Sequence, residues 1–144
     1  MKIKNPPSII LALDIPIKQA EKLMQMLKPV EDKIAALKIG SLQIMEIGLK
    51  KAIADLRVFT ELPVIYDHQK GCTDIPEIVG QQVEMAANSG ADMCIAVPHG
   101  AGPKSLESFV NTCKRHNVLP AVLLEMTHPE ANAYLKKNTA KKNS

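Results

Sequence analysis

Five short apolar segments recur along this chain at nearly even intervals. They begin near Ile9, Ile34, Val64, Met93 and Leu119, which lie 25, 30, 29 and 26 residues apart. The gaps between them carry helical periodicity. Ile17, Ala20, Leu23, Met24 and Leu27 share one face of a helix over 17–27, and Leu42, Met45, Leu49, Ile53 and Leu56 share one face over 42–56. Residues 76–89 carry Ile78, Val79, Val83, Met85 and Ala86, and Gly90 is placed to end that helix. A fourth helix over 103–116 starts at Pro103 and groups Leu106 with Phe109, Val110 and Cys113. Strand and helix alternating in this way predict right-handed βαβ crossovers and one parallel sheet. The unbroken apolar runs Met93–Val97 and Ala121–Leu124 fit strands covered on both faces.

Three successive strands finish on a charge. Asp14 closes the first, Lys38 closes the second, and the third delivers Asp67, Lys70 and Asp74 within the run from Tyr66 to Pro76. Charges at strand ends are costly to desolvate unless they pair, so such clusters mark a site more often than a core. All of them would meet at the carboxyl edge of a parallel sheet. His99 follows the fourth strand at the same edge and is a candidate to line the pocket.

Charge and composition narrow the function classes. The net charge is +3, but Lys136, Lys137, Lys141 and Lys142 stand without an acid in residues 136–144, and residues 1–135 sum to −1. There is no basic face for nucleic acid, and two Phe, two Tyr and no Trp offer no base-stacking platform. Cys72, Cys94 and Cys113 are odd in number and lack CxxC spacing, so they read as reduced thiols of a cytoplasmic protein. No apolar stretch approaches transmembrane length, and no membrane partner is expected. No His or Cys grouping has metal-ligand spacing, so no metal site is expected. Residues 136–144 read as a polar tail without fixed structure.

The motifs Leu-Ala-Leu-Asp14, Leu-Lys38-Ile-Gly, the Asp67/Lys70/Asp74-Ile75-Pro76 run and Glu125-Met126-Thr127-His128-Pro129 occur in that order on strands one, two, three and five. Together they resemble orotidine 5′-phosphate decarboxylase, a (β/α)8-barrel family. The resemblance covers residues 9–131 and implies an α/β fold of the TIM-barrel type, truncated to about five βα units within residues 1–135. It implies a lyase that converts orotidine 5′-phosphate to uridine 5′-phosphate and carbon dioxide without metal or organic cofactor. By the same resemblance, Lys38, Asp67, Lys70 and Asp74 form an alternating charge network, with Lys70 protonating C6 of the pyrimidine. Asp74 would be contributed across the interface of a homodimer. Asp14 would bind the ribose hydroxyls, and Thr127 would contact the base.

Two departures accompany the resemblance. The family spacing Asp-x-Lys-x-x-Asp is here Asp67-x-x-Lys70-x-x-x-Asp74, one residue longer in each interval. Asp67 and Lys70 then converge only if the chain bulges near His68-Gln69. The family's phosphate loops follow strands seven and eight, beyond these residues, and Arg57 and Arg115 fall on helices. Two other readings stay open. One is a magnesium-dependent sugar-phosphate decarboxylase or aldolase of the same superfamily. The other is an inactive half-barrel whose exposed sheet edges invite self-association.

Overall fold

A computed structural model describes residues 8–67, 71–98, 101–124 and Glu130. Its elements are β1 (Ile9–Ala12), α1 (Ile17–Leu27), a 3-10 turn (Lys28–Lys33), β2 (Ile34–Ile39), α2 (Ser41–Ile47), α3 (Leu49–Arg57), β3 (Val64–Tyr66), α4 (Pro76–Asn88), β4 (Met93–Ala96), α5 (Pro103–Arg115) and β5 (Leu119–Val122). The five strands form one sheet in the order β1-β2-β3-β4-β5, and every neighbouring pair is parallel. Sheet order that equals chain order, joined by crossovers of one hand, puts every helix on the same face. A doubly wound sheet would need a reversal of order, and none occurs.

Side-chain alternation confirms the one-sided layer. Leu37, Ile39, Val64, Cys94 and Ala96 join the large core beneath the helices. Their strand neighbours Ala36, Ile65 and Met93 form a separate small cluster on the opposite face, with Ile95 and Ala121 packed against it. The outer strands are less covered than the expectation of two protected faces allows. Ile9 and Ile10 on β1, and Leu119 and Val122 on β5, are exposed. β5 also ends at Val122, so Leu123 and Leu124 lie past it rather than within it.

Helix ends follow local chemistry. Pro76 and Pro103 occupy first-turn positions, where a missing N–H costs nothing. Gly90, at φ +95, follows α4 in the left-handed region that stops a helix, as expected. Lys114 and Arg115 sit in the last turn of α5, where cations oppose the helix dipole.

The expectation of one helix over 42–56 is corrected. Gly48 has φ +80 and splits the segment into α2 and α3. The turn rotates one helix face against the other, so the apolar stripe does not stay on one side. Ile53 and Leu56 of α3 are buried as expected, whereas Leu42 (53% exposed) and Met45 (85%) of α2 face solvent. Gln43 is fully buried instead. In α4, Val79, Val83 and Ala86 are buried but Met85 is exposed, lining a groove of about 740 Å³ between α3 and α4.

All three cysteines are free and buried, in keeping with core and helix-face thiols. Burial, with a smaller contribution from Cys94, pushes the Tyr66 phenol up to about 12 from 10.0. The folded chain therefore holds this proton more tightly than the unfolded chain does, and stability falls as pH rises from 10 through 12. Phenolate absorbance against pH should show a tyrosine ionising near pH 12 while the chain stays folded. Complete ionisation of both tyrosines near pH 10 in a folded sample would contradict it.

Candidate active site

The parallel register brings three charges to one edge. Ala12 is opposite Lys38 across β1 and β2, and Lys38 is opposite Ile65 across β2 and β3. Asp14 and Asp67 each follow one of these residues by two positions, so period-two alternation keeps them on the face away from the helices. The backbone fastens the edge: Leu13 N donates to Lys38 O at 2.8 Å, and Asp67 N donates to Ile39 O at 2.9 Å.

Lys38 Nζ donates to Asp67 Oδ2 at 2.8 Å. Their side chains are 26% and 13% exposed, so the pair is sheltered yet still open toward the sheet's carboxyl edge. A charge-assisted bond in that setting holds the ammonium in place. Gly40 lies where the loops after β1 and β3 approach β2. A Cβ added there would stand 3.2 Å from Asp67 O and 3.7 Å from Asp14 Oδ1. Its backbone, at φ −135, suits any residue, so closeness to Asp67 explains the glycine. Asp14 itself is exposed, and among the described residues its carboxylate has no partner.

Of the site residues expected from sequence, Asp14, Lys38 and Asp67 are brought together. Lys70, His99 and Thr127 lie outside the described residues, as does the bulge expected near His68-Gln69. Asp74 is exposed just ahead of α4, where its Oδ1 accepts Ile75 N at 2.7 Å. Its carbonyl accepts from the buried Ser105 hydroxyl at 2.7 Å, which ties the segment to α5. No hydrogen bond or ion pair joins Asp74 to the Lys38–Asp67 pair among the described residues. Arg57 pairs with Asp92 at 2.8 Å, and Arg115 donates to Thr112 Oγ1 at 2.8 Å, so both arginines are engaged on the helix layer. Among the described residues no group of three or more His, Cys, Asp or Glu is placed to hold a metal. No helix among them is long and apolar enough to cross a membrane.

Gly40 enters the sequence reading only as the last residue of the Leu-Lys38-Ile-Gly motif, and Gln43 and Glu46 do not enter it. Gln43 Nε2 donates to the carbonyls of Leu13 and Ile15, and its Oε1 accepts Gly40 N at 3.3 Å. Glu46 Oε2 accepts Ile17 N at 3.0 Å. The glycine two residues after Lys38 was the one available signal.

A sequentially ordered parallel sheet, a one-sided helix layer and paired charges at the carboxyl edge define an α/β protein of the TIM-barrel type. The family profile described as Orotidine 5′-phosphate decarboxylase / HUMPS family matches residues 7–143, and the chain belongs to that family. Among solved structures it is similar to the crystal structure of orotidine 5′-phosphate decarboxylase from Pyrococcus horikoshii OT3, with a TM-score of 0.70 and 24% identity. The match covers 92% of this chain and 58% of that one, and at this identity it speaks for the fold. No curated protein matches the chain.

Proposed function

We propose that this chain carries the first five βα units of an orotidine 5′-phosphate decarboxylase site, acting in pyrimidine biosynthesis. The observation that carries the reading is the Lys38–Asp67 pair standing beside Asp14 at one sheet edge. In this reaction the C6–carboxylate bond breaks, carbon dioxide leaves, and the electron pair stays on C6. That carbanion has no neighbouring carbonyl to spread its charge, so a fixed ammonium is the fitting stabiliser and proton source. Lys70 would donate the proton, with Asp67 and Lys38 keeping the charges alternating. Asp14 would hold the ribose hydroxyls, Thr127 and His99 would line the pocket, and Asp74 would reach a second copy's site in a homodimer.

The edges of β1 and β5, unpaired among the described residues, favour a second reading for the isolated chain, an inactive associating half-barrel. Two assays separate the readings. One tests the 144-residue chain for release of carbon dioxide from orotidine 5′-phosphate, and the other tests a version extended to eight βα units. Metal-free turnover by the extended version, with little or none by the shorter chain, is expected. Turnover of a pentulose or hexulose phosphate that requires magnesium, with none of orotidine 5′-phosphate, would overturn the proposal.

A further inference from the structure

A polar side chain with no accessible surface calls for a reason, because each of its unmet hydrogen bonds would be costly. Gln43 is such a residue, and all of its contacts lead to the candidate site. Its amide nitrogen serves the carbonyls of Leu13 and Ile15, the two residues flanking Asp14. Its amide oxygen takes the N–H of Gly40, two residues beyond Lys38. One turn further along α2, Glu46 holds Ile17 N. The loop from Leu13 to Ile17 is therefore fastened to α2 at three points, while the Asp14 side chain has no bond to another described residue.

We infer that Gln43 is a positioning residue: it fixes the backbone on both sides of Asp14 and locks that loop to the strand carrying Lys38. This rests on the proposed role of Asp14 toward a ribose diol. Gln43 touches no ligand. It sets the distance between the diol-binding carboxylate and the Lys38–Asp67 pair, and so governs selection of ribo- over 2′,3′-dideoxyribonucleotides. Only an amide meets the whole demand here, since two donors and one acceptor must come from one side chain. Leu is of similar size but supplies neither, and ionised Glu keeps the acceptor without the donors.

The test uses the whole chain, with uridine 5′-monophosphate and its 2′,3′-dideoxy counterpart as calorimetric probes, and amide hydrogen exchange as an independent measurement. The wild-type chain should bind the ribonucleotide about tenfold or more tightly, the span of a hydrogen bond to a charged group. Asp14→Ala, Gln43→Leu and Gln43→Glu should each bring that ratio close to one, with dideoxynucleotide affinity nearly unchanged. Gln43→Leu should also speed exchange at Gly40 N–H, whereas Gln43→Glu should leave it protected. Equal weakening of both nucleotides by the Gln43 variants would show a merely structural role and overturn the inference. If the 144-residue chain binds neither nucleotide, amide exchange in that chain decides the positioning claim. Unchanged exchange at Gly40 and across 13–17 in folded Gln43→Leu would then sink it.

Discussion

Asp67→Ala is expected to lower kcat/KM for orotidine 5′-phosphate decarboxylation by about 10²- to 10⁴-fold in the eight-unit form, the usual worth of a well-placed proton-transfer or charge-stabilising group. The geometry gives the cause. Asp67 Oδ2 is 2.8 Å from Lys38 Nζ and is the acid that the structure places on that ammonium. Without it the Lys38 side chain is freer to swing toward water, and the alternation of charge at the sheet edge is broken. Substrate must then meet a misaimed cation, and the loss should fall on kcat more than on KM. Stability should fall by only about 1.5–3 kcal/mol, because water can replace part of what a partly exposed pair loses. Steady-state kinetics beside urea unfolding make the check. Activity within tenfold of the parent, in a protein that unfolds cooperatively, would remove Asp67 from the site.

Phe109→Ala is expected to destabilise the fold by about 3–5 kcal/mol. Phe109 is almost completely buried and belongs to the main core between helices and sheet. It lines a small pocket together with Cys72, Val79, Val83 and Cys94, so α4, α5 and β4 all meet beside its ring. Elements this closely packed cannot collapse to fill the space of a phenyl group, and the lost contacts add to the lost transfer free energy. Against a total of about 5–15 kcal/mol for a typical domain, that is a large fraction. The midpoint of urea denaturation should drop sharply with an unchanged slope. A cost below about 1 kcal/mol would mean that the α4–α5 layer yields more easily than its packing implies.

The fold was legible in the sequence where periodicity was simple. Strand starts at even spacing, Pro76 and Pro103 as openers and Gly90 as a stop translated directly into elements and order. The clustering of Asp14, Lys38 and Asp67 was legible because each lies at the carboxyl end of a consecutive strand, and consecutive strands proved to be neighbours. The face of α2 was not legible. The apolar offsets run on through Gly48 as though the helix were continuous, and only the positive φ at that glycine reveals the turn that exposes Met45 and buries Gln43. Gln43 was invisible for a related reason, since a polar residue between Leu42 and Ile44 reads as solvent-facing in a one-dimensional pattern. Its value comes from carbonyls 30 and 28 residues away, which no local period encodes.

Strand order that matches chain order has a consequence for synthesis. Each new βα unit finds its partner in the unit emerging just before it, so no strand must wait for a distant segment to be translated. Growth by such local additions involves short loop closures and limits the time that hydrophobic surface spends uncovered. The polypeptide can thus add each strand beside one already made, and the Lys38–Asp67 clasp needs only β2 and β3 to be in place.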